Sequence, residues 1–255
     1  MQQPTKDVVM VAIAIGDRYL DTYNLLFRPS QEKYAEKHGY DFKVITDYMD
    51  DSALLPPYSM RSRMMLYFQK MLVCSKFKEY KYVIFVDCDV LINPKSPAIH
   101  LAYDFEDKIG IVDEYSQPTP EMRIAIQRKN GWETSAREYY KLADFDLDTT
   151  RVLNSGVIVM QPQFHSEFMD HVYATYMPKS LRHRRGPHFE QSSLGYELQT
   201  QNKAKIMSNE WNAIWVLHRD STSTTLSEFY DNNFFVHFAG NTDFDKVYQM
   251  MTTHR

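Results

Sequence analysis

A continuous apolar run at residues 8–15 is the feature that most constrains the fold of this chain. Eight apolar residues without a polar interruption, ending at Gly16, predict a strand that is buried on both faces. A second apolar run at 82–86 predicts another buried strand. Apolar residues at helical spacing predict helices at 21–38 and 59–77, between these two strands.

A further strand is predicted at 42–46, between the two helices, so strands and helices alternate through the first third of the chain. This order predicts an α/β fold with a mostly parallel central sheet flanked by helices. The second half is less regular, and it contains neither an internal repeat nor a linker, so we expect a single domain over 1–255. Its predicted strands are 109–112, 154–160 and 234–238. Its predicted helices are 121–142, with an interruption at Asn130-Gly131, 164–176 and 190–198.

The strand at 82–86 is followed directly by Asp87-Cys88-Asp89. Ligands of parallel sheets bind outside the carboxyl ends of the strands, and these two carboxylates lie at such an end. Carboxylates two residues apart can point towards one hard divalent cation. Such a cation can bridge two phosphates and neutralise the charge that develops on a departing diphosphate. The pattern therefore predicts metal-assisted chemistry on a diphosphate.

Aspartyl phosphatases also place Asp-x-Asp after an apolar strand. Their motif lies near the first strand and continues with Gly-Thr or similar hydroxyl-bearing residues. Here the motif follows the third strand and continues with VLIN at 90–93, and both differences disfavour that class. The phosphatase stays open as an alternative, as does a binding module that keeps the fold without catalysing a reaction.

Charge and cysteine content narrow the class of protein further. A formal net charge of -4 and a pI near 6.1 argue against nucleic acid as the main partner, because no basic excess is present to neutralise phosphates. Cys74 and Cys88 form neither a CxxC nor a Cys/His metal spacing, which fits a reducing compartment. The N-terminus lacks signal-peptide order, and the run at 8–15 is too short to span a bilayer. We expect a soluble, cytoplasmic protein, with a trimmed Golgi-type anchor as the open alternative and the oligomeric state undetermined.

Five segments occur in an order that resembles the retaining glycosyltransferases of the A-type (GT-A) fold. Two related families share this order: the glycogenin-like family, and the family of fungal galactosyl- and mannosyltransferases and plant xylosyltransferases. The resemblance extends from about residue 8 to residue 240. The segments are FQKM at 68–71, VIFVDCDVLI at 83–92, LNSGVIVMQP at 153–162, FEQSS at 189–193 and FVHFAG at 235–240.

The resemblance implies transfer of a sugar from a UDP- or GDP-sugar donor to a hydroxyl of a glycan or other small acceptor, with retention of anomeric configuration. It implies a nucleotide-binding half at about 8–112 and a half for donor sugar and acceptor at about 113–245. Metal ligands would be Asp87, Asp89 and His237, and this mixture of oxygen and imidazole favours Mn²⁺ over Mg²⁺.

Glu190 and Gln191 take the place of the family's Asp-Gln pair. In such enzymes the leaving diphosphate can take the acceptor proton while Gln191 or Glu190 steadies the sugar. If Glu190 instead reaches the acceptor hydroxyl, it becomes a general base and inversion becomes available. The other expected donor contacts are Ile15, Gly16 and Tyr19 for the base, Lys70, Asn154 and Ser155 near the sugar, and Gly240 beside the diphosphate.

The chain departs from the glycogenin-like pattern after Gly240. Glycogenin-like proteins continue with Lys-Pro-Trp, whose lysine binds diphosphate, whereas this chain reads NTDFDK at 241–246. Phosphate contact must therefore come from Lys246, Lys70 or Arg63. On this evidence we expect the chain to lie nearer the second family, or outside both.

Overall fold

The computed structural model describes residues 6–51, 60–182, 189–219, 221–240 and 243–253. The strands are β1 (Lys6–Ile13), β2 (Asp41–Ile45), β3 (Tyr80–Val86), β4 (Val90–Ile92), β5 (Ile109–Asp113), β6 (Leu153–Met160), β7 (Ala204–Met207), β8 (Ala213–Ile214) and β9 (Phe235–His237). The α-helices are α1 (Asp17–Leu26), α2 (Arg28–His38), α3 (Met60–Lys76), α4 (Pro120–Asn130), α5 (Ala136–Leu142), α6 (Pro162–Arg182), α7 (Phe189–Thr200), α8 (Trp215–Arg219), α9 (Leu226–Asp231) and α10 (Phe244–Thr253).

The central sheet has six strands in the order β2-β1-β3-β6-β5-β7. Only β6 runs antiparallel to its neighbours, so the prediction of an α/β fold with a mostly parallel sheet is confirmed. Because β1, β2 and β3 are parallel, their carboxyl ends meet at one edge. The segment that follows β3 at this edge is Asp87-Cys88-Asp89.

Side chains of β1 alternate between two buried layers, as the continuous apolar run predicts. Val9 and Val11 pack in a cluster with the apolar faces of α3 and α6. Val8 and Met10 point the other way, into a cluster that includes Tyr34 of α2. The sheet is therefore covered on both faces.

A second, smaller sheet contains three strands in the order β4-β9-β8. β4 begins one residue after Asp89 and pairs antiparallel with β9, while β8 lies parallel to β9 on its other side. The predicted strand at 234–238 thus belongs to this sheet. It joins the end of the chain to the segment that follows β3.

The prediction of a single helix at 21–38 is wrong, because the structure has two helices, α1 and α2, that meet at Phe27. Pro29 lies in the first turn of α2, where it lacks an amide proton for a continuous helix and disfavours helical geometry in the preceding residue. The predicted end of this helix at residue 38 is confirmed as the end of α2. Gly39 follows with a left-handed φ of 68°, and its N–H bonds to carbonyls of the last turn. Within the described ranges, no helix is long and apolar enough to cross a membrane.

Candidate active site

The turn between β3 and β4 holds Asp87 and Asp89 on the same side of the central sheet. The backbone N–H of Asp87 donates to the carbonyl of Gly156 in β6 at 2.8 Å, which extends the strand pairing past the end of β3. The amide of Gln31 in α2 donates to the carbonyls of Asp87 and Val90 at 3.2 and 2.9 Å. The fully buried Gln31 side chain thereby fixes both ends of the turn.

His237 is brought to this turn by strand register. In the β4–β9 pair His237 lies opposite Val90, and the N–H of Phe238 donates to the carbonyl of Asp89 at 2.9 Å. The imidazole Nε2 lies 3.2 Å from Asp89 Oδ1 and 3.9 Å from Asp87 Oδ2. One ligand atom from each of the three residues lies within 4.8 Å of the others, so the three predicted metal ligands converge on one point.

The charges of His237 and Asp89 stabilise one another. Burial alone lowers the pKa of His237, but the Asp89 and Asp87 carboxylates outweigh it and raise that pKa above its usual value. Burial alone raises the pKa of Asp89, and the nearby imidazolium of His237 outweighs it and lowers that pKa. Without a cation, His237 and Asp89 thus form an ion pair, and a cation that binds Nε2 must displace its proton.

Lys70 of α3 lies beneath Asp87, with its side chain almost fully buried. Its ammonium donates to the two carboxylate oxygens of Asp87 at 3.1 and 3.3 Å, and to the hydroxyl and carbonyl of Ser155 at 3.2 and 3.3 Å. Burial lowers the pKa of Lys70, but the charges of Asp87 and Glu190 raise it above its usual value. Lys70 therefore stays charged and neutralises part of the acidic cluster.

Residues predicted near the donor sugar form a buried polar layer next to the aspartates. The Gln191 amide donates to Glu114 Oε2 at 3.2 Å and to the Tyr139 hydroxyl at 3.1 Å. The Asn154 amide donates to the same Glu114 oxygen at 2.8 Å. The backbone N–H of Ser155 donates to the side-chain oxygen Oε1 of Gln191 at 3.4 Å. Glu114 is thus the acceptor that joins the segment LNSG to α7.

Three predicted contacts to the base lie where β1 ends and α1 begins. Ile15 is half-buried, and Gly16 adopts a φ of 94° that favours glycine. Tyr19, on the first turn of α1, is 47% exposed. Asn154, predicted near the sugar, lies within β6, where its side chain faces Glu114.

The predicted phosphate-side residues have different environments. Gly240 has a left-handed φ of 81°, three residues after His237. Lys246 is exposed on α10 and pairs with Asp243 at 2.9 Å. Arg63 belongs to α3, but its side chain lies outside the described part of the chain.

Four residues that organise the site were not predicted: Gln31, Glu114, Gly156 and Asn212. Only Gly156 carried a signal, because it stands inside the quoted segment LNSG. A Cβ at this position would lie 2.4 and 2.6 Å from the Cε1 and Nδ1 atoms of His237. The glycine is needed because the imidazole packs directly on the backbone of β6.

A sequence model described as glycosyl transferase family 8 matches residues 7–243, nearly the whole chain. The chain belongs to glycosyl transferase family 8. No curated protein matched in the corresponding sequence comparison. The family 8 assignment confirms the predicted glycosyltransferase and its glycogenin-like resemblance. The expectation that the chain lies nearer the second family or outside both is wrong, because the chain matches the model of glycosyl transferase family 8 over nearly its whole length.

Solved structures similar to this family 8 member confirm the GT-A fold. A glycosyltransferase involved in glycosylation of the major capsid of PBCV-1 shares 16% identity and a TM-score of 0.60, with 97% of this chain and 99% of that chain covered. The galactosyltransferase LgtC, in complex with donor and acceptor sugar analogues, shares 12% identity and a TM-score of 0.54, with 95% of each chain covered. The bifunctional glycosyltransferase WbbM shares 14% identity and a TM-score of 0.62, with 96% of this chain and 49% of that chain covered.

Proposed function

We propose that this family 8 glycosyltransferase takes a sugar from a UDP- or GDP-sugar and transfers it to a hydroxyl of a glycan or other small acceptor. A divalent cation, Mn²⁺ in preference to Mg²⁺, is held by Asp87, Asp89 and His237. The observation that carries the proposal is the convergence of these three side chains from the ends of two sheets. The LgtC complex supports it, because a protein of this fold holds donor and acceptor sugar analogues.

The donor set fits such a cation. Two carboxylates and one imidazole supply oxygen and nitrogen ligands, a combination that suits Mn²⁺. The second ring nitrogen of His237, Nδ1, donates to the Asn212 side-chain oxygen at 2.9 Å. A ring N–H bonded to a fixed acceptor is typical of a metal-binding histidine, because it leaves the other nitrogen free to coordinate.

The cation, when bound, neutralises the negative charge that develops on the leaving diphosphate. Lys70 holds the Asp87 carboxylate in place through two hydrogen bonds and is itself held by Ser155. Because the Lys70 ammonium is buried against Asp87 and Ser155, we propose that Lys246, whose side chain is 56% exposed, exchanges Asp243 for the diphosphate and makes the missing phosphate contact. The bend at Gly240 lets the backbone pass beside the diphosphate, and Ile15, Gly16 and Tyr19 receive the base.

Gln191 and Glu190 lie on the donor-sugar side of this cluster. Gln191 is fixed by Glu114 and Tyr139, which suits a group that steadies the sugar while the diphosphate takes the acceptor proton. Glu190 is buried, and its charge acts on Lys70. We propose that Gln191 steadies the sugar in this way and that the reaction proceeds with retention. The division into a nucleotide-binding half at about 8–112 and an acceptor half at about 113–245 stays a prediction.

Hydrolysis of nucleotide-sugars tests the proposed function. Purified protein with Mn²⁺ is incubated with a panel of UDP- and GDP-sugars, and release of nucleoside diphosphate is measured. We expect release from at least one donor, its loss in excess chelator, and its loss in the Asp89→Ala variant. Cleavage of small phosphoesters without donor hydrolysis would favour the phosphatase, and donor binding without turnover would favour the binding module.

Proton NMR of the freshly released sugar tests the stereochemistry. Retention predicts that the first product has the anomeric configuration of the donor. An inverted first product would contradict the proposal and make Glu190 the base, in which case Glu190→Gln should lower the rate by about 10²–10⁴-fold.

A further inference from the structure

A continuous chain of side-chain hydrogen bonds leads from His237 into the donor-sugar side of the site. His237 Nδ1 lies 2.9 Å from Asn212 Oδ1, and the Asn212 amide donates to Asn154 Oδ1 at 2.7 Å. The Asn154 amide donates in turn to Glu114 Oε2 at 2.8 Å. Asn212 is fully buried, Asn154 and His237 are almost fully buried, and the Glu114 side chain is 12% exposed.

Glu114, at the far end of this hydrogen-bond chain, determines which group donates and which accepts at each step. Glu114 is paired with Arg123 at 2.8 Å, and an ionised carboxylate can only accept hydrogen bonds. Asn154 must therefore turn its amide nitrogen towards Glu114. Its oxygen then faces Asn212, where it also accepts the backbone N–H of Gly156 at 2.9 Å.

The orientation of Asn154 in turn determines the orientation of the Asn212 amide. Because Asn154 presents an oxygen, Asn212 must present its amide nitrogen to it and its oxygen to His237. That oxygen can only accept, so Nδ1 of His237 must carry a proton. The lone pair available to a cation is then on Nε2, the atom that faces Asp89 and Asp87.

The backbone of Asn212 is also held in place. Its carbonyl accepts the Gln117 amide at 3.0 Å, and the Gln117 oxygen accepts the N–H of Ile214 at 2.9 Å. The short turn before β8 is thus locked to the cis-proline segment at Gln117. Asn212 has a defined position independent of its contacts to His237.

We infer that Asn212 is a positioning residue that holds His237 with Nδ1 protonated and Nε2 directed at the cation, and that Glu114 sets the direction of the chain. The inference rests on the proposed metal site, and it goes further, because it makes the affinity for the cation depend on residues that do not touch it. Partners of this kind typically change metal affinity by about 10–100-fold when they are removed.

Calorimetric titration with Mn²⁺ alone, without any nucleotide-sugar, tests the inference. Asn212→Leu keeps the approximate volume and removes the acceptor, so the Kd for Mn²⁺ should rise by about 10–100-fold. Asn212→Asp keeps an acceptor for His237 and loses the donor to Asn154, so thermal stability should fall while Mn²⁺ affinity is retained. A purely structural role for Asn212 would make both variants lose affinity in proportion to stability.

Asn93→Ala is the matched control. Asn93 is also buried, its amide donates to the carbonyl of Tyr230 at 2.8 Å and its oxygen accepts from the N–H of Lys95 at 2.9 Å. It belongs neither to the hydrogen-bond chain from His237 to Glu114 nor to the proposed metal site. It should lose stability without loss of Mn²⁺ affinity.

Glu114→Gln provides a second variant if Asn212→Leu does not fold. A glutamine keeps its oxygen towards Arg123 and turns an amide nitrogen towards Asn154, which places two donors face to face. Asn154 must then either lose this hydrogen bond or turn its amide nitrogen towards the N–H of Gly156. Either change weakens the orientation of Asn212 and His237, so Mn²⁺ affinity should fall. Unchanged affinity in a folded Asn212→Leu protein, or in Glu114→Gln where the first does not fold, would overturn the inference. A wild-type protein that binds no Mn²⁺ would instead overturn the proposed metal site.

Discussion

At the scale of single residues, the site depends on close packing between the imidazole of His237 and the backbone of β6. The two atoms of the ring nearest to a Cβ at position 156 would lie at 2.4 and 2.6 Å, far inside normal contact. The imidazole is almost fully buried. The identity of residue 156 therefore controls where Nε2 points.

Gly156→Ala should displace His237 and lower Mn²⁺ affinity and donor hydrolysis together, each by at least about tenfold. The same titration and hydrolysis assay measure both. Gly39→Ala is the control, because a Cβ there meets no atom within 4 Å, although φ is 68°. It should cost about 1–2 kcal/mol of stability through backbone strain and leave Mn²⁺ affinity unchanged. Wild-type affinity in a folded Gly156→Ala protein would contradict this account of the site.

The residues that could be predicted from the sequence are those whose chemistry is visible locally. Asp87 and Asp89 stand at the end of an apolar strand, and His237 stands before a glycine in a short aromatic strand. Gln31 and Asn212 were not predictable, because an amide is usual at a solvated surface. Their function arises only when folding buries them against a turn or a ring from a distant part of the chain.

At the scale of elements, continuous apolar runs predicted the inner strands β1, β3, β5 and β6, because such runs survive only where both faces are covered. The strands β4 and β8 have three and two residues, too few for a period to be recognised. The antiparallel direction of β6 also left no local trace in the sequence. The sequence therefore indicated the fold class, while the second sheet that carries His237 appeared only in the structure.

Asp113, the last residue of β5, contributes to the stability of the fold in a way that depends on pH. Its Oδ1 accepts the N–H groups of Tyr115 and Val152 at 3.0 and 3.1 Å. Burial raises the pKa of Asp113 to about 6, despite these bonds, from an ordinary value of 3.8. The folded state therefore binds a proton more tightly than the unfolded state, so this residue's contribution to stability falls as pH rises from about 4 to about 6.

Asp113→Asn should remove that dependence, because the amide keeps an accepting oxygen and carries no charge. Two pKa units correspond to about 2.7 kcal/mol, and an amide oxygen accepts more weakly than a carboxylate. We expect the free energy of unfolding at pH 7 to rise by about 1–2 kcal/mol and the difference from wild type to disappear or reverse near pH 4. Urea unfolding at both pH values measures this. Asp146→Asn, at an exposed side chain, is the control and should change little at either pH. Destabilisation by Asp113→Asn at pH 7 would contradict the account.

At the scale of the whole molecule, the proposed ligands bind between structures from distant parts of the sequence. Asp87 and Asp89 follow the central sheet, His237 comes from the second sheet, and Lys246 from the last helix. A nucleoside diphosphate with Mn²⁺ should therefore stabilise the fold as a unit. A ligand present at about 100 times its Kd adds roughly 2.7 kcal/mol to the free energy of unfolding, or about 5–10 °C to the Tm of a domain of this size.

Thermal unfolding with Mn²⁺ and either UDP or GDP should show this rise for one nucleotide and not for the other, which identifies the base. The rise should be absent in chelator and in Asp89→Ala. Lys246→Ala should reduce the rise for the diphosphate and leave the effect of Mn²⁺ alone unchanged. An equal rise in chelator would show that the nucleotide binds without the cation.

The central claim is that Asp87, Asp89 and His237 hold one divalent cation, and anomalous diffraction from crystals soaked in Mn²⁺ tests it most directly. The account predicts one strong peak between these side chains, roughly 2.0–2.3 Å from His237 Nε2 and from a carboxylate oxygen of each aspartate. Nδ1 of His237 should still face Asn212. A peak elsewhere, or a cation that is bound by the aspartates with the imidazole turned away, would contradict the account.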